Sequence, residues 1–174
     1  MTAGDGRQGQ GAGTPVPRSA SSVPAAGLPD YAELRCVSTF SFLVGASQPE
    51  ELVERAHKQG YRALALTDEC SVAGVVRAHV AAKKIGLKLL IGSQFSVAVP
   101  EPSGDDAPGP FSLGVLACNL NGYGNLCEFI TKLRRASEKG TYHLDLGDIA
   151  SDELADCVVV ASPVRGSTDV QLVG

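Results

Sequence analysis

The chain has 174 residues, of which 44% are hydrophobic, and this is enough to build one domain with a sizeable core. Its formal net charge is −4, whereas proteins that grip a nucleic-acid backbone are usually basic, so the chain is itself a poor DNA- or RNA-binding surface. Five cysteines without CxxC spacing exclude a recognisable zinc ribbon or thioredoxin-like site and fit the reducing cytoplasm, where thiols serve as small hydrophobic side chains.

The first 29 residues are rich in Gly, Pro, Ser and Ala. Such a segment cannot bury enough apolar surface to offset the loss of chain entropy, so residues 1–29 are predicted to be a disordered tail. They also lack the continuous apolar stretch of a secretory signal, and no run in the chain is long enough to span a membrane. The folded region is therefore expected to occupy residues 30–174, in the cytoplasm and without a membrane partner.

The first predicted elements are a short strand, AELRCVS, and a helix within SQPEELVERAHKQG. Ser47 and Glu50 have the spacing of a capping box, Pro49 suits the first helical turn, and Gly60 is expected to end the helix. The next strand, YRALALTD, is apolar on both faces, which is typical of a parallel strand covered by helices on both sides.

The remaining sequence continues the alternation of strands and helices. A second helix, SVAGVVRAHVAAKKIG, is expected to end at Gly86, and the strand LKLLIGSQF follows it, with FSVAVP as an extension. A flexible loop, EPSGDDAPGP, comes next. The pattern then predicts a strand, a helix and a last strand: FSLGVLACN, GNLCEFITKLRRASEKG and DCVVVASP.

Strand–helix–strand units in series predict an α/β fold with parallel strands and flanking helices. No strand is followed by a GxGxxG or Walker A loop, so a nucleotide-binding sheet lacks its main signal and a barrel-like arrangement is favoured. Four or five strands do not close a barrel of seven or eight. The sequence is therefore interpreted as the first part of a domain, incomplete at its C-terminal end, whose open strand edges favour marginal stability and self-association.

Polar residues follow the predicted strands at one end of the barrel, where barrels of parallel strands place their chemistry. The strand ALAL stops abruptly at two acids, Asp68 and Glu69, although burying carboxylates is costly unless they are paired. Because alternate residues of a strand share a face, the first strand directs Arg35 and Val37 to one side and Cys36 to the other. The candidate site at the barrel mouth contains Arg35, Val37, Asp68, Glu69 and Gln94.

The chain resembles the opening of the PHP domain, the polymerase and histidinol phosphatase superfamily, in three segments: ELRCVSTFSFLVGASQPEELVERAHKQGYRALALTDE, GVVRAHVAAKKIGLKLLIG and GYGNLCEFITKLRRASEKG. More closely, it is similar to the N-terminus of bacterial error-prone DNA polymerases of the C family, which are like the DNA polymerase III alpha subunit. The resemblance covers residues 31–165. It implies a distorted seven-stranded α/β barrel, here partial, with a cluster of divalent metals at its mouth.

In that superfamily the early metal ligands are an HxH on the first strand, an Asp–His after the second and a Glu after the third. The resemblance places Arg35 and Val37 at the two histidines of the HxH. It places Asp68 and Glu69 at the Asp–His, and Gln94 at the Glu. Only Asp68 keeps the ligand type, since neither a guanidinium nor an alkyl side chain has a lone pair to donate. The site is therefore expected to be degenerate, with no metal, no cofactor and no catalytic residue in this chain.

Two alternatives would keep a metal at the mouth: a weak carboxylate site at Asp68 and Glu69, or soft ligation by Cys36 and Cys70. Both are less favoured, because Arg35 adds a positive charge beside the acids and lone cysteines are usually buried. Arg35 is instead expected to project towards the carboxylates of the second strand and replace the lost cation. The basic residues of the third helix are interpreted as a solvated face: Lys132, Arg134, Arg135 and Lys139.

The resemblance implies a structural PHP module of an error-prone DNA polymerase, a class that works in translesion synthesis and DNA repair. Its partners would be the remaining polymerase domains or other replication and mutagenesis proteins, and DNA would be reached only through the full-length parent. Polymerisation needs a magnesium-binding carboxylate cluster in the palm, which this sequence lacks, so the chain alone is expected to be inactive. The alternatives are a metal-dependent phosphoesterase or proofreading exonuclease of the superfamily, and a truncated product that does not fold stably.

Overall fold

A computed structural model describes residues 30–97, 111–150 and 152–163 of the chain. These residues form a five-stranded sheet, three α-helices and one short 3-10 turn. In chain order the elements are β1 (Ala32–Cys36), α1 (Pro49–Lys58), β2 (Ala63–Leu66), α2 (Val75–Ile85), β3 (Lys88–Val97), β4 (Phe111–Ala117), α3 (Leu120–Ala136), the turn (Leu146–Asp148) and β5 (Cys157–Pro163). The predicted tail at 1–29 and the predicted loop at 101–110 lie outside the described residues.

The sheet is mixed, with its strands in the order β1-β2-β3-β4-β5. The first three strands are parallel, whereas β4 and β5 each pair antiparallel with the strand before them. The α/β fold with a partial barrel sheet is confirmed, but the expectation of parallel strands throughout is wrong for β4 and β5. Parallel neighbours need a long, usually helical crossover, and the Pro- and Gly-rich sequence between β3 and β4 carries no helix signal. That connection predicts a change of direction, which the alternation of elements alone does not reveal.

Helix α1 begins one residue later than the capping pattern predicts. Its N-cap is Gln48, whose N–H donates to the Glu51 carboxylate at 2.8 Å, so the capping pair is Gln48 and Glu51 instead of Ser47 and Glu50. The shift directs Glu50 towards α2, where it forms an ion pair with Arg77. The two helices are thereby joined along their exposed sides.

The other helix ends follow from local chemistry. Helix α2 is followed by Gly86, whose φ of +75° is the left-handed conformation that glycine adopts readily, as the sequence predicts. Helix α3 begins at Leu120, before the predicted start at Gly124, because the Asn119 side chain accepts a hydrogen bond from the Gly122 N–H at 2.9 Å. None of the described helices is long and apolar enough to cross a membrane.

Two apolar clusters pack on the sheet. One is centred on Phe95 of β3 and Phe129 of α3, whose rings meet edge to face with their centroids 5.2 Å apart. The other packs α1 and α2 on β2 through Val53, Ala78 and Leu66. All four residues of β2 are buried, which confirms that this strand is covered on both faces. The clusters hold β1, β2 and β3 side by side, so that their carboxyl ends meet at one edge.

Candidate functional site

The carboxylate of Asp68 lies in the interior, just beyond the end of β2. Asp68 is 1% exposed and accepts three hydrogen bonds from the loop that follows β1. Ser38 donates from its backbone N–H at 2.7 Å and from its hydroxyl at 2.8 Å, and Ser41 donates from its hydroxyl at 2.7 Å. Protein donors therefore satisfy both carboxylate oxygens, and Asp68 joins β2 to the loop after β1.

The loop after β1 has a backbone shape that presents both serines to Asp68. The Gly45 N–H donates to the Ser41 carbonyl at 2.9 Å, which closes the loop on itself. A Cβ atom at position 45 would lie 2.0 Å from the Ser38 carbonyl oxygen, so only glycine fits there. The close approach of Gly45 to Ser38 fixes the path of the loop over the acid.

Glu69, the next residue, is half-buried and connects three segments. Its Oε2 accepts from the Gln94 side-chain amide on β3 at 2.8 Å, and its Oε1 accepts from the Ser96 hydroxyl at 2.9 Å. Tyr142, which lies beyond α3, also donates its phenolic O–H to Oε1. The carboxylate therefore ties the end of β2 to β3 and to the segment after α3.

Arg35 reaches the acids only through Gln94. Its Nε donates to Gln94 Oε1 at 2.9 Å, and the amide nitrogen of Gln94 donates in turn to Glu69. In the part of the chain that the structure describes, Arg35 forms no ion pair with either acid, so the expected direct contact is wrong. The physical reason is that an amide both accepts and donates, and Gln94 bridges the two charged groups. Val37, also at the mouth, is half-buried and has no polar side-chain atom.

Arg134 of α3 directs its guanidinium into the same site. It donates hydrogen bonds of 3.2–3.5 Å to the backbone carbonyls of Glu69, Cys70 and Gly140. Its guanidinium carbon lies 5.5 Å from the centroid of the Tyr142 ring, which is within cation–π range. The interpretation of Arg134 as part of a solvated face is therefore wrong. Its partners are carbonyls from distant loops, which helical periodicity cannot identify.

The other basic residues of this group agree better with the interpretation. Arg135 and Lys139 are exposed, and so is Lys132, which forms an ion pair with Glu153. Exposed ion pairs of this kind usually contribute little to stability. Arg134 is thus the member of the group with the strongest structural role.

Sequence reasoning misses Tyr142, because a single tyrosine outside a regular element carries no periodic signal. The phenol receives the Ser96 N–H at 2.6 Å and donates to Glu69, and its ring lies edge-on to Phe95 with their centroids 6.2 Å apart. Burial raises the pKa of the Tyr142 phenol strongly, and the hydrogen bond to Glu69 raises it further. Tyr142 therefore links the polar site to the apolar cluster beneath it.

The raised pKa of Tyr142 predicts a loss of stability at high pH. Because the folded state raises this pKa above the ordinary value of 10.0, the unfolded chain loses the phenolic proton at a lower pH than the folded chain does. The stabilisation is therefore complete below pH 10.0 and is lost as the pH rises above it. We expect the melting temperature, measured by circular dichroism at constant ionic strength, to fall more steeply above that pH for the wild-type chain than for Tyr142→Phe.

A matched control for this titration is Tyr61→Phe, which removes a phenol whose ring packs on Tyr31. This variant should keep the steep wild-type dependence. The same slope for the wild-type chain and Tyr142→Phe would contradict the role given to the Tyr142 hydroxyl.

The two thiols near the mouth are poorly suited to bind a metal. Burial raises the pKa of the Cys36 thiol and of the Cys70 thiol to about 11 each. At Cys70 the neighbouring Arg134 guanidinium acts in the opposite direction without overcoming burial. Both side chains are protonated at neutral pH, whereas the thiolate is the form that ligates metals. The hypothesis of soft ligands therefore gains no support.

The residues at the mouth do not fit the metal cluster that the superfamily implies. Both oxygens of Asp68 accept hydrogen bonds from serines, and Glu69 already accepts from three side chains. In the described ranges, no three His, Cys, Asp or Glu side chains come together in a group that could hold a metal. The arrangement is instead a hydrogen-bonded cluster, here called the mouth cluster, which consists of Arg35, Ser38, Ser41, Asp68, Glu69, Gln94, Ser96, Arg134 and Tyr142.

The pattern of the PHP domain matches residues 33–162, and the chain belongs to the PHP domain family. An error-prone DNA polymerase from Ralstonia nicotianae is 60% identical to it over 127 residues, which cover 72% of this chain and 11% of the polymerase. An error-prone DNA polymerase from Dechloromonas aromatica is 54% identical over 140 residues, which cover 78% of this chain and 13% of that protein. These findings confirm the resemblance identified in the sequence.

The chain spans about a tenth of the length of the curated relatives that it matches. Among solved structures, an amidohydrolase from Chromobacterium violaceum has a TM-score of 0.48 and 25% identity, covering 60% of this chain and 34% of the amidohydrolase.

Proposed function

We propose that this chain is the N-terminal PHP region of an error-prone DNA polymerase and that its role there is structural. The similarity to polymerases from several bacteria supports the first part of the proposal. The second part rests on the mouth cluster, in which the buried Asp68 accepts only from protein donors. A carboxylate that is saturated in this way stabilises the fold but is not available to activate a water molecule.

The mouth cluster can give the domain a rigid face for packing against other domains. It joins the loop after β1, the end of β2, strand β3 and the segment beyond α3 through buried or half-buried hydrogen bonds. At the tip of the loop after β1, Phe42 and Leu43 are 83% and 90% exposed, and apolar side chains held out in this way favour contact with a protein surface. Such a face would pack against the remaining polymerase domains.

In this proposal the domain contributes to translesion synthesis and repair only as part of the longer enzyme, in the cytoplasm. Its partners are the remaining polymerase domains or other replication and mutagenesis proteins. DNA and the palm magnesium are handled by those domains, which agrees with the net charge of −4 on this chain. A metal-dependent phosphoesterase or proofreading exonuclease would need metal ligands at the mouth, and no contact of the mouth residues favours that function.

The structural role can be tested in a chimeric enzyme. Residues 33–162 would replace the matching region of the Ralstonia nicotianae error-prone polymerase, and primer extension and solubility would be measured. We expect an active, soluble chimera, and we expect Asp68→Ala in the chimera to reduce the yield of soluble enzyme without lowering the activity per folded molecule. Loss of specific activity with unchanged yield would contradict a structural role.

Metal binding at the mouth is expected to be negligible. Isothermal titration of the purified chain with zinc or manganese should give no saturable heat, because the side chains at positions 35 and 37 offer no lone pair and Asp68 is already satisfied. Micromolar binding that Asp68→Ala abolishes would contradict this expectation and would favour the phosphoesterase alternative.

A further inference from the structure

The two edges of the five-stranded sheet differ in their chemistry. At the β1 edge the backbone N–H of Arg35 donates to the Glu33 carboxylate at 2.9 Å, and both side chains place charge beside the strand. Strand β5, Cys157–Pro163, carries no charged side chain, and its three valines at 158–160 are 39–50% exposed. Charged side chains protect sheet edges from pairing with other strands. The β1 edge has this protection and the β5 edge lacks it.

The outward hydrogen-bonding groups of β5 belong to alternate residues. The Cys118 N–H donates to the Asp156 carbonyl at 2.9 Å across the β4–β5 pair. Since hydrogen-bonded and non-hydrogen-bonded pairs alternate along an antiparallel ladder, the even-numbered residues 158, 160 and 162 bond to β4. Val159 and Ala161 therefore direct their N–H and C=O groups away from the sheet, where no other described strand pairs with them.

The two ends of β5 cannot donate to a further strand. The Cys157 N–H already donates to the Leu154 carbonyl at 3.1 Å, and Pro163 has no N–H. Only the centre of the strand, around Val160, offers a complete set of donors and acceptors. A partner strand must match this short central segment.

We propose that two copies of this chain associate through their β5 strands, paired antiparallel about a two-fold axis at Val160. In this register Val159 of one copy pairs with Ala161 of the second copy, and the reverse pair completes four main-chain hydrogen bonds. Cys157 then faces Pro163 of the second copy, so the two positions without an available N–H lie opposite each other. A shift by one pair in either direction would leave a carbonyl of Val159 or Ala161 without a donor.

The absence of charge on β5 favours a second copy over the β1 edge as the occupant. A copy laid antiparallel on β5 brings no like charges together, and valines of the two strands contact one another. Pairing of β5 with the β1 edge would instead displace the Glu33 carboxylate from the Arg35 N–H. The association is thus between identical strands and closes at two copies.

The proposed axis places the two Val160 side chains directly opposite each other in a non-hydrogen-bonded pair, where side chains are closest. Sedimentation equilibrium of the full chain over a wide range of concentrations should show a mass that rises from one chain to two and then stops. Val160→Lys and Val160→Glu should each raise the dissociation constant about tenfold or more through like-charge repulsion. An equal mixture of the two variants should restore dimers, because the opposite charges then face each other.

Two further variants make the outcome decisive. Leu34→Lys adds a charge at the β1 edge and should leave the dissociation constant unchanged. Ala161→Pro removes one outward N–H without touching the bonds to β4 and should weaken the dimer while the circular dichroism spectrum stays native. A wild-type chain that is monomeric at every concentration, a mass that rises beyond two chains, or a variant mixture that stays monomeric would each overturn the proposal.

Discussion

Replacement of Asp68 by alanine is expected to lower the free energy of unfolding by about 3–5 kcal/mol, the largest effect of any single substitution at the mouth. The carboxylate is buried, and its removal would leave the Ser38 N–H and the hydroxyls of Ser38 and Ser41 without their acceptor. Each buried donor without a partner costs about 1–3 kcal/mol. Urea unfolding followed by circular dichroism would measure the loss.

The matched control is Asp30→Ala. Asp30 forms an ion pair with Arg62 at 3.1 Å, but both side chains are largely exposed, so its removal should have no measurable effect. Asp68→Asn should fall between the wild-type chain and Asp68→Ala, since the amide keeps one acceptor oxygen in place. Equal stabilities of the two alanine variants would show that the hydrogen bonds to Asp68 do not hold the loop after β1.

Arg134→Ala is expected to cost about 2 kcal/mol, and more than Arg35→Ala. Arg134 is half-buried and holds carbonyls from two loops, including those of Cys70 and Gly140, as well as the ring of Tyr142. Arg35 is exposed, and its side chain donates one hydrogen bond, to Gln94, which water can replace. The expected order is the reverse of the one that the sequence suggests, in which Arg35 pairs with the acids and Arg134 is solvated.

Arg135→Ala is the control for Arg134→Ala, because Arg135 is an exposed neighbour on the same helix. Its melting temperature should equal that of the wild-type chain. A larger loss of stability in Arg35→Ala than in Arg134→Ala would mean that the positive charge at the mouth comes from β1, and the assignment of Arg134 to the mouth cluster would fail.

Much of the site could be predicted because strand ends and alternation are local properties of the sequence. The apolar run of β2 identifies a buried strand, and the strand-end rule brings Asp68, Glu69 and Gln94 to one edge. Alternation along β1 correctly directs Arg35 to the same region, where it reaches Gln94. The position of these residues is therefore readable, although their hydrogen-bond partners are not.

The partners depend on contacts between residues that are far apart in the chain. Tyr142 meets Glu69 across 73 positions, and Arg134 meets Cys70 across 64 positions, with a backbone carbonyl as the acceptor. A carbonyl has the same chemistry at every residue, so no sequence pattern can mark it as the partner of an arginine. The interposition of Gln94 between Arg35 and Glu69 likewise depends on the parallel register of β2 and β3.

The most direct test of a mouth held together by the protein's own hydrogen bonds is the thermal melt of the chain in chelator and in excess zinc or manganese. A ligand that binds only the folded state raises its stability in proportion to the logarithm of the ligand concentration over the dissociation constant. We predict one cooperative transition with the same melting temperature in all three conditions. A melting temperature that rises with metal concentration in the wild-type chain, and not in Asp68→Ala, would show that the mouth is a metal site and would contradict the account.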